Sequence, residues 1–181
     1  MIDKFKSVFV IPELRKRILF TVSILIIVRI GAHIPIPGVD GEALAGAFTN
    51  LQNSLFGLFN TFVGGAFQKA SLFSLGIMPY ISSSIIIQLM GSVIPYFQRL
   101  QKEGEAGRKK ITQITRYGTV MLATMQSYGV VAVFLPSLTA NGQSVVMNPG
   151  FMFTFTGIIS MVTGTLFLMW LGERITERGI G

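Results

Sequence analysis

Ile77, Ile81, Ser84 and Gln88 recur at spacings of four, three and four, which places them along one stripe of a helix. Such a stripe offers control of water rather than bond chemistry. Isoleucines at one level make a constriction that dewets, and Ser with Gln line a wetter stretch beyond it. The adjoining triplet Ser82, Ser83 and Ser84 has a second reading, because small hydroxyl residues let helix backbones approach. Pattern alone leaves pore face and helix packing both open.

No arrangement for catalysis stands beside this stripe. The chain carries no H-E-x-x-H, G-x-S-x-G or Walker A motif. There is no cysteine and one histidine, His33, which excludes Cys/His zinc sites, cysteine nucleophiles and disulfides within the chain. No metal or cofactor is expected. The acidic residues fall outside the apolar runs or at their edges, which disfavours a proton relay. Three polar groups lie inside those runs or at their edge. Arg29 either snorkels outward or pairs inside a bundle. His33 reads as a boundary residue near the outer interface, and Gln126 bonds a neighbouring helix or lines a path.

The elements that position these groups follow from hydropathy. The 181 residues are 13% charged against about 25% in an average soluble domain, with a mean hydropathy of +0.61. No charge occurs from Ala70 to Gln98 or from Tyr117 to Gly172. Runs of about 20 apolar residues read as membrane spans. The expectation is an all-α polytopic membrane protein with four transmembrane helices, at 18–34, 72–97, 117–135 and 151–172. No small-residue cleavage site follows the first apolar run, so a removable signal peptide is not expected.

The net charge of +7 has a topological explanation. Five of the fifteen Lys and Arg residues precede the first span, six lie in the 98–116 loop, and two follow the fourth span. Only Lys69 falls in the 35–71 loop, none falls in the 136–150 loop, and Arg29 lies within a span. The positive-inside rule then puts 1–17, 98–116 and 173–181 in the cytoplasm and the other two loops outside. A basic cytoplasmic surface can also meet ribosomal RNA or anionic lipid.

One segment fits neither loop nor span. "LFGLFNTFVGGAFQKAS", 55–71, begins with thirteen nearly all apolar residues, too few to cross, and contains Gly64-Gly65. A short apolar stretch of this kind reads as re-entrant or interfacial rather than spanning. Backbone that breaks at membrane depth is tolerated where protein covers it or water reaches it. The break therefore predicts a cavity. A broken transporter helix at a substrate site and a pore-free four-helix scaffold are the competing classes. The first would place ionisable groups at the break, where this sequence has glycines, phenylalanines and Asn60.

"SLGIMPYISSSIIIQLM" (74–90), "EGEAGRKKITQITRYGT" (103–119) and "LGERITERGIG" (171–181) resemble the SecY family of protein-conducting channels in its bacterial form, and "RIGAHIPIPGVD" and "NPGFMF" fit as well. The resemblance implies a ten-helix fold in two halves of five, of which this chain holds helices one to four, so that it does not form a channel alone. It implies that Leu55, Phe56, Phe59, Phe62, Gly64, Gly65 and Phe67 belong to a plug and that Ile77 and Ile81 belong to a pore ring. Ser82, Gln88 and Gln126 would face a lateral gate, and Arg108, Lys109 and Lys110 would lie in a cytoplasmic contact loop. The implied partners are SecE, SecG, SecA, the ribosome, signal sequences, nascent polypeptides and anionic lipids, with no small-molecule substrate. The implied location is the bacterial inner membrane, with the N-terminus cytoplasmic. No enzymatic activity is implied, because energy comes from SecA or the translating ribosome.

Overall fold

The computed structural model describes residues 12–49, 51, 54–140 and 142–180. Residues 1–11, the larger part of the expected N-terminal cytoplasmic segment, lie outside the described residues.

α1, Pro12–Gly31, starts on a proline and carries Glu13 in its first turn and Arg29 in its last, each the favourable charge for that end of the helix dipole. It stops three residues before the expected limit. Pro35 pushes the residue before it toward extended backbone, and Pro35 bridges Ser71 while Ile36 donates its N–H to Ala70 O at 2.9 Å.

α2, Gly41–Thr49, lies within the expected loop. Asp40 Oδ1 caps it, accepting from the N–H groups of Glu42 at 2.9 Å and Ala43 at 3.1 Å. Leu44, Ala47 and Phe48 bury its inner face. α3, Leu55–Phe62, is the short apolar helix; Ser54 Oγ accepts from Phe56 N–H at 3.3 Å, and the helix ends at Val63. Gly64 and Gly65 follow with φ of 64° and 82°, a backbone that residues with a Cβ rarely adopt.

Residues 66–76 form a buried succession of turns. Backbone buried without a ladder needs other partners, and the serines supply them. Ser74 Oγ donates to Ser71 O at 2.6 Å and Ser71 Oγ accepts from Phe73 N–H at 3.2 Å.

α4, Met78–Val93, therefore begins six residues later than expected, with a proline in its first turn. It also ends early. Pro95 holds Ile94 at φ −95°, ψ 121°, and α5, Pro95–Lys102, leaves at 98° to α4.

The basic 98–116 stretch is mostly helical rather than a loop. α5 turns at Glu103–Gly104 into α6, Glu105–Tyr128, and Gly104 takes the turn at φ 68°. α6 continues through a π-helical segment, Gly129–Phe134, where the Leu135 N–H reaches Val130 O, and through Leu135–Ser137. A small hairpin, β1 (Thr139–Ala140) with β2 (Gln143–Ser144), precedes α7, Phe151–Arg178.

Two helices, Glu105–Ser137 and Phe151–Arg178, are long and apolar enough to cross a membrane, and the bent pair α4–α5 makes up to three. α1 misses this standard because its 20 residues include Arg15, Lys16, Arg17 and Arg29. The fold is all-helical apart from the hairpin among the described residues.

α4 packs on α6, α6 on α7, and α1 on α7. Small residues set these approaches. Thr115, Thr119, Ala123 and Ser127 recur every four residues on the buried face of α6. A side chain at Gly118 would strike Ser83, whose Oγ donates to Thr115 O at 2.9 Å. The largest core cluster lies away from the basic hairpin and joins Leu44 and Phe48 of α2, Phe67 of the turns, Val131 and Leu135 after α6, and Phe153 and Met161 of α7.

Candidate functional site

α3 closes one side of two cavities. The first, of about 320 Å³, is lined by Phe62 and Val63 at the end of α3, Val28 of α1 and Ala32 just after it, and Ile77 and Ile81 at the start of α4. One expected plug residue, Phe62, thus shares a space with both expected ring residues. Ile77 caps α4 at its N-terminus, and its carbonyl accepts the Ile81 N–H at 3.0 Å, which fixes the two side chains one turn apart. They are 49% and 40% exposed, facing open space beside the chain rather than its core.

Ile77 also lines a further cavity of about 480 Å³ with Tyr80 and the pair Arg116–Glu173. It therefore stands at the division between an apolar space under α3 and a charged one toward the basic end. Arg116 grips Glu173 with Nε at 2.9 Å and Nη2 at 2.7 Å, a two-point geometry that orients both side chains.

The cavity on the other side of α3, about 610 Å³, brings Leu55, Phe56, Phe59 and Phe67 together with Ser82 and Gln126. Two of the three lateral-gate candidates thus meet. Gln88 lies farther along the exposed stripe of α4, where its Nε2 donates to Ser84 Oγ at 3.1 Å, and it does not reach this cavity.

The segment expected to act as one plug has two parts. No residue of α3 itself is buried; Leu55 is 83% exposed and Phe62 75%. Phe67 is 5% exposed. Its ring meets Phe59 and Phe48 edge-on, with centroids at 5.1 and 5.5 Å, and stacks on Phe134 at 5.6 Å. Such aromatic pairs contribute about 0.5–1.5 kcal/mol each beyond burial.

Two residues at the break do more than their sequence positions suggest. Asn60 Oδ1 accepts the Gln68 N–H at 2.9 Å, and its Nδ2 donates to Gln68 Oε1 at 3.3 Å. The polar residue that interrupts the apolar run thereby clamps the return of the chain. Asn60 and Gln68 flanking a Gly-Gly pair was the available signal. Arg29 Nη1 donates to Gly64 O at 3.1 Å across 35 residues, and no local pattern foretells that contact.

Arg108, Lys109 and Lys110 are exposed in the first turns of α6. Lys110 comes within 3.8 Å of Glu103, an exposed pair worth at most about 1 kcal/mol. Among the described residues no group of three or more His, Cys, Asp or Glu is placed to hold a metal ion.

A sequence model of the family described as SecY matches residues 71–181, from the turns before α4 through α7. The chain belongs to the SecY family. It is 56% identical over 169 residues to the protein translocase subunit SecY of Buchnera aphidicola subsp. Acyrthosiphon kondoi, covering 93% of this chain and 47% of that protein. It is 55% identical over 169 residues to the SecY subunit of Escherichia coli strain K12, covering 93% and 38% respectively. The SecY subunit of Vibrio cholerae is 50% identical over 171 residues, covering 94% of this chain and 38% of that protein. The chain thus spans under half the length of these SecY relatives. Within the SecY match lie Ile77, Ile81, Ser82, Gln88, Gln126 and the basic cluster at 108–110, whereas α3 precedes it.

Proposed function

We propose that this chain supplies the resting seal and part of the wall of a protein-conducting channel that passes unfolded secretory polypeptides across a membrane. The observation that carries this reading is the position of Ile77, between the cavity it shares with Phe62 and the one it shares with Arg116 and Glu173. Membership of the SecY family supports it. Ile77 and Ile81 form this chain's share of an apolar ring, completed by helices outside it. α3, with Leu55, Phe56, Phe59 and Phe62, rests over the ring as a plug.

The mechanism is steric and hydrophobic. An apolar ring closes around an extended polypeptide and dewets when empty. Lifting the plug exposes apolar area at about 25 cal/mol per Å², so opening requires a signal sequence or a partner. Ser82, Gln88 and Gln126 face a lateral gate, through which a segment partitions into lipid according to its hydrophobicity. The chain crosses the bacterial inner membrane four times, with α1, α4, α6 and α7 as spans and the N-terminus and the basic hairpin cytoplasmic. Arg108, Lys109 and Lys110 meet the ribosome, SecA or anionic lipid, while SecE and SecG brace the complex. The channel has no catalytic step of its own.

Cysteines placed at Ile77 or Ile81 in the full-length complex test the ring. Both are expected to crosslink to a polypeptide arrested in transit, while lipid-facing controls do not. Deletion of Leu55–Phe67 tests the plug and is expected to raise the ion conductance of the resting channel. Absence of crosslinks, or an unchanged conductance, overturns the corresponding assignment.

A further inference from the structure

A guanidinium within an apolar helix is costly unless an acceptor meets it, and its position marks a functional contact by default. Arg29 lies in the last turn of α1 and donates from Nη1 to the carbonyl of Gly64 at 3.1 Å. That carbonyl belongs to the peptide joining Gly64 to Gly65, the two residues at φ 64° and 82°. Val28, next to Arg29 on α1, and Ala32, just past the end of α1, line the same cavity as Phe62, Ile77 and Ile81. Across the break, Val63 at the end of α3 packs so closely on Gly76 that a Cβ at Gly76 would come within 2.6 Å of the Val63 Cγ1.

α3 is joined to a buried base through this glycine peptide, whose N–H donates to Asn60 O at 2.8 Å, and through the Asn60–Gln68 pair that spans the break. Displacing the helix while the base stays in place requires the Gly64–Gly65 peptide to turn. The hydrogen bond from Arg29 fixes the direction of its carbonyl. We propose that Arg29 is a latch: a positioning residue that holds the hinge of α3 in the closed orientation and makes release of the helix depend on a new partner for the guanidinium. This inference rests on the plug reading of α3. Water can supply the new partner, since it satisfies a donor nearly as well as a carbonyl. A wetted pore therefore loosens the latch, and a dry one keeps it shut.

Arg29→Gln and Arg29→Lys in the full-length reconstituted complex test the latch, with the Leu55–Phe67 deletion as reference. A hydrogen bond from a charged donor corresponds to about a tenfold bias between two states. Arg29→Gln is expected to raise resting ion conductance about tenfold and to add nothing in the deletion background. Arg29→Lys keeps the charge but has a shorter reach and no fork, and is expected to fall between Gln and wild type. A leaking deletion with Arg29→Gln at wild-type conductance overturns the latch and leaves the plug intact. A deletion that does not leak overturns both. Should Arg29→Gln fail to assemble, Arg29→Lys carries the test, and conductance equal to wild type overturns the proposal.

Discussion

Phe67→Ala separates the buried turns after Gly65 from the helix α3 that rests on them. Phe67 is 5% exposed and its ring contacts Phe48, Phe59 and Phe134. Truncating a buried Phe costs about 3–5 kcal/mol, and the cost falls where the site can collapse. Here one side of the ring borders the cavity of about 610 Å³, so Phe56 and Phe59 have room to settle inward. The lower end, about 3 kcal/mol, is therefore expected. At 1.4 kcal/mol per decade this is roughly a 150-fold rise in local opening.

The readout is amide exchange of the full complex at Ala70 and Ser71, whose N–H groups donate to Phe67 O and Ala66 O, both at 3.0 Å. Opening of this unit without global unfolding is the regime that exchange reports. Protection there should fall about 150-fold, while Thr119 and Ala123 in the α6–α7 interface keep theirs. Phe62→Ala, at a side chain 75% exposed in this chain, should leave Ala70 and Ser71 within about twofold of wild type. Unchanged protection in Phe67→Ala, or an equal loss in Phe62→Ala, would refute the division into a base and a helix resting on it.

Asn60→Ala removes the acceptor of the Gln68 N–H and should cost about 1–2 kcal/mol; roughly tenfold faster exchange at Gln68 checks it. Gly118→Leu drives a side chain into Ser83 and strains the α4–α6 contact; overpacking of about 1–3 kcal/mol should lower the melting temperature of the complex measurably. Exchanging the charges of Arg116 and Glu173 should restore most of what either single reversal loses. A double-mutant cycle should give a coupling of about 1 kcal/mol, since the Arg116 side chain is 48% exposed and screened.

What the residues revealed by themselves was periodicity and charge. The spacing of Ile77, Ile81, Ser84 and Gln88 foretells one helical stripe, with pore face and helix packing both open; in the structure Ile77, Ile81 and Gln88 are exposed and Ser84 half-buried. The non-spanning length of the 55–67 run and its Gly-Gly break foretell a short helix beside a cavity. Boundaries were less legible, for physical reasons. The apolar residues Leu72–Leu75 read as the start of a span, but burial in a satisfied turn network is as apolar as burial in lipid. α2 was hidden because nine residues give less than three turns of pattern, although Asp40 before an Ala-rich run was its cap signal. The 98–116 stretch read as a loop from its charge, yet Lys and Arg are good helix formers. The links from Arg29 to Gly64 and from Arg116 to Glu173 join residues 35 and 57 positions apart, beyond the reach of any local pattern.

The split within residues 55–71 bears on what kind of device the proposed plug would be. A segment meant to stay would bury its helix, as α2 does with Leu44, Ala47 and Phe48. α3 buries none of its eight residues, and its apolar side chains line cavities instead. Burial resumes at Ala66 and Phe67, immediately after two residues with positive φ. The energy that orders this region therefore lies on one side of the glycine pair and the side chains that would block a pore lie on the other. Motion of α3 would break the Asn60–Gln68 pair, the contacts of Phe59 with Phe67 and of Phe56 with Phe134, and the bond from Arg29, while Phe67 keeps its contact with Phe48 in the core. Under the proposed plug role, release would break these local contacts while the packing of α4 on α6 and of α6 on α7 stays in place.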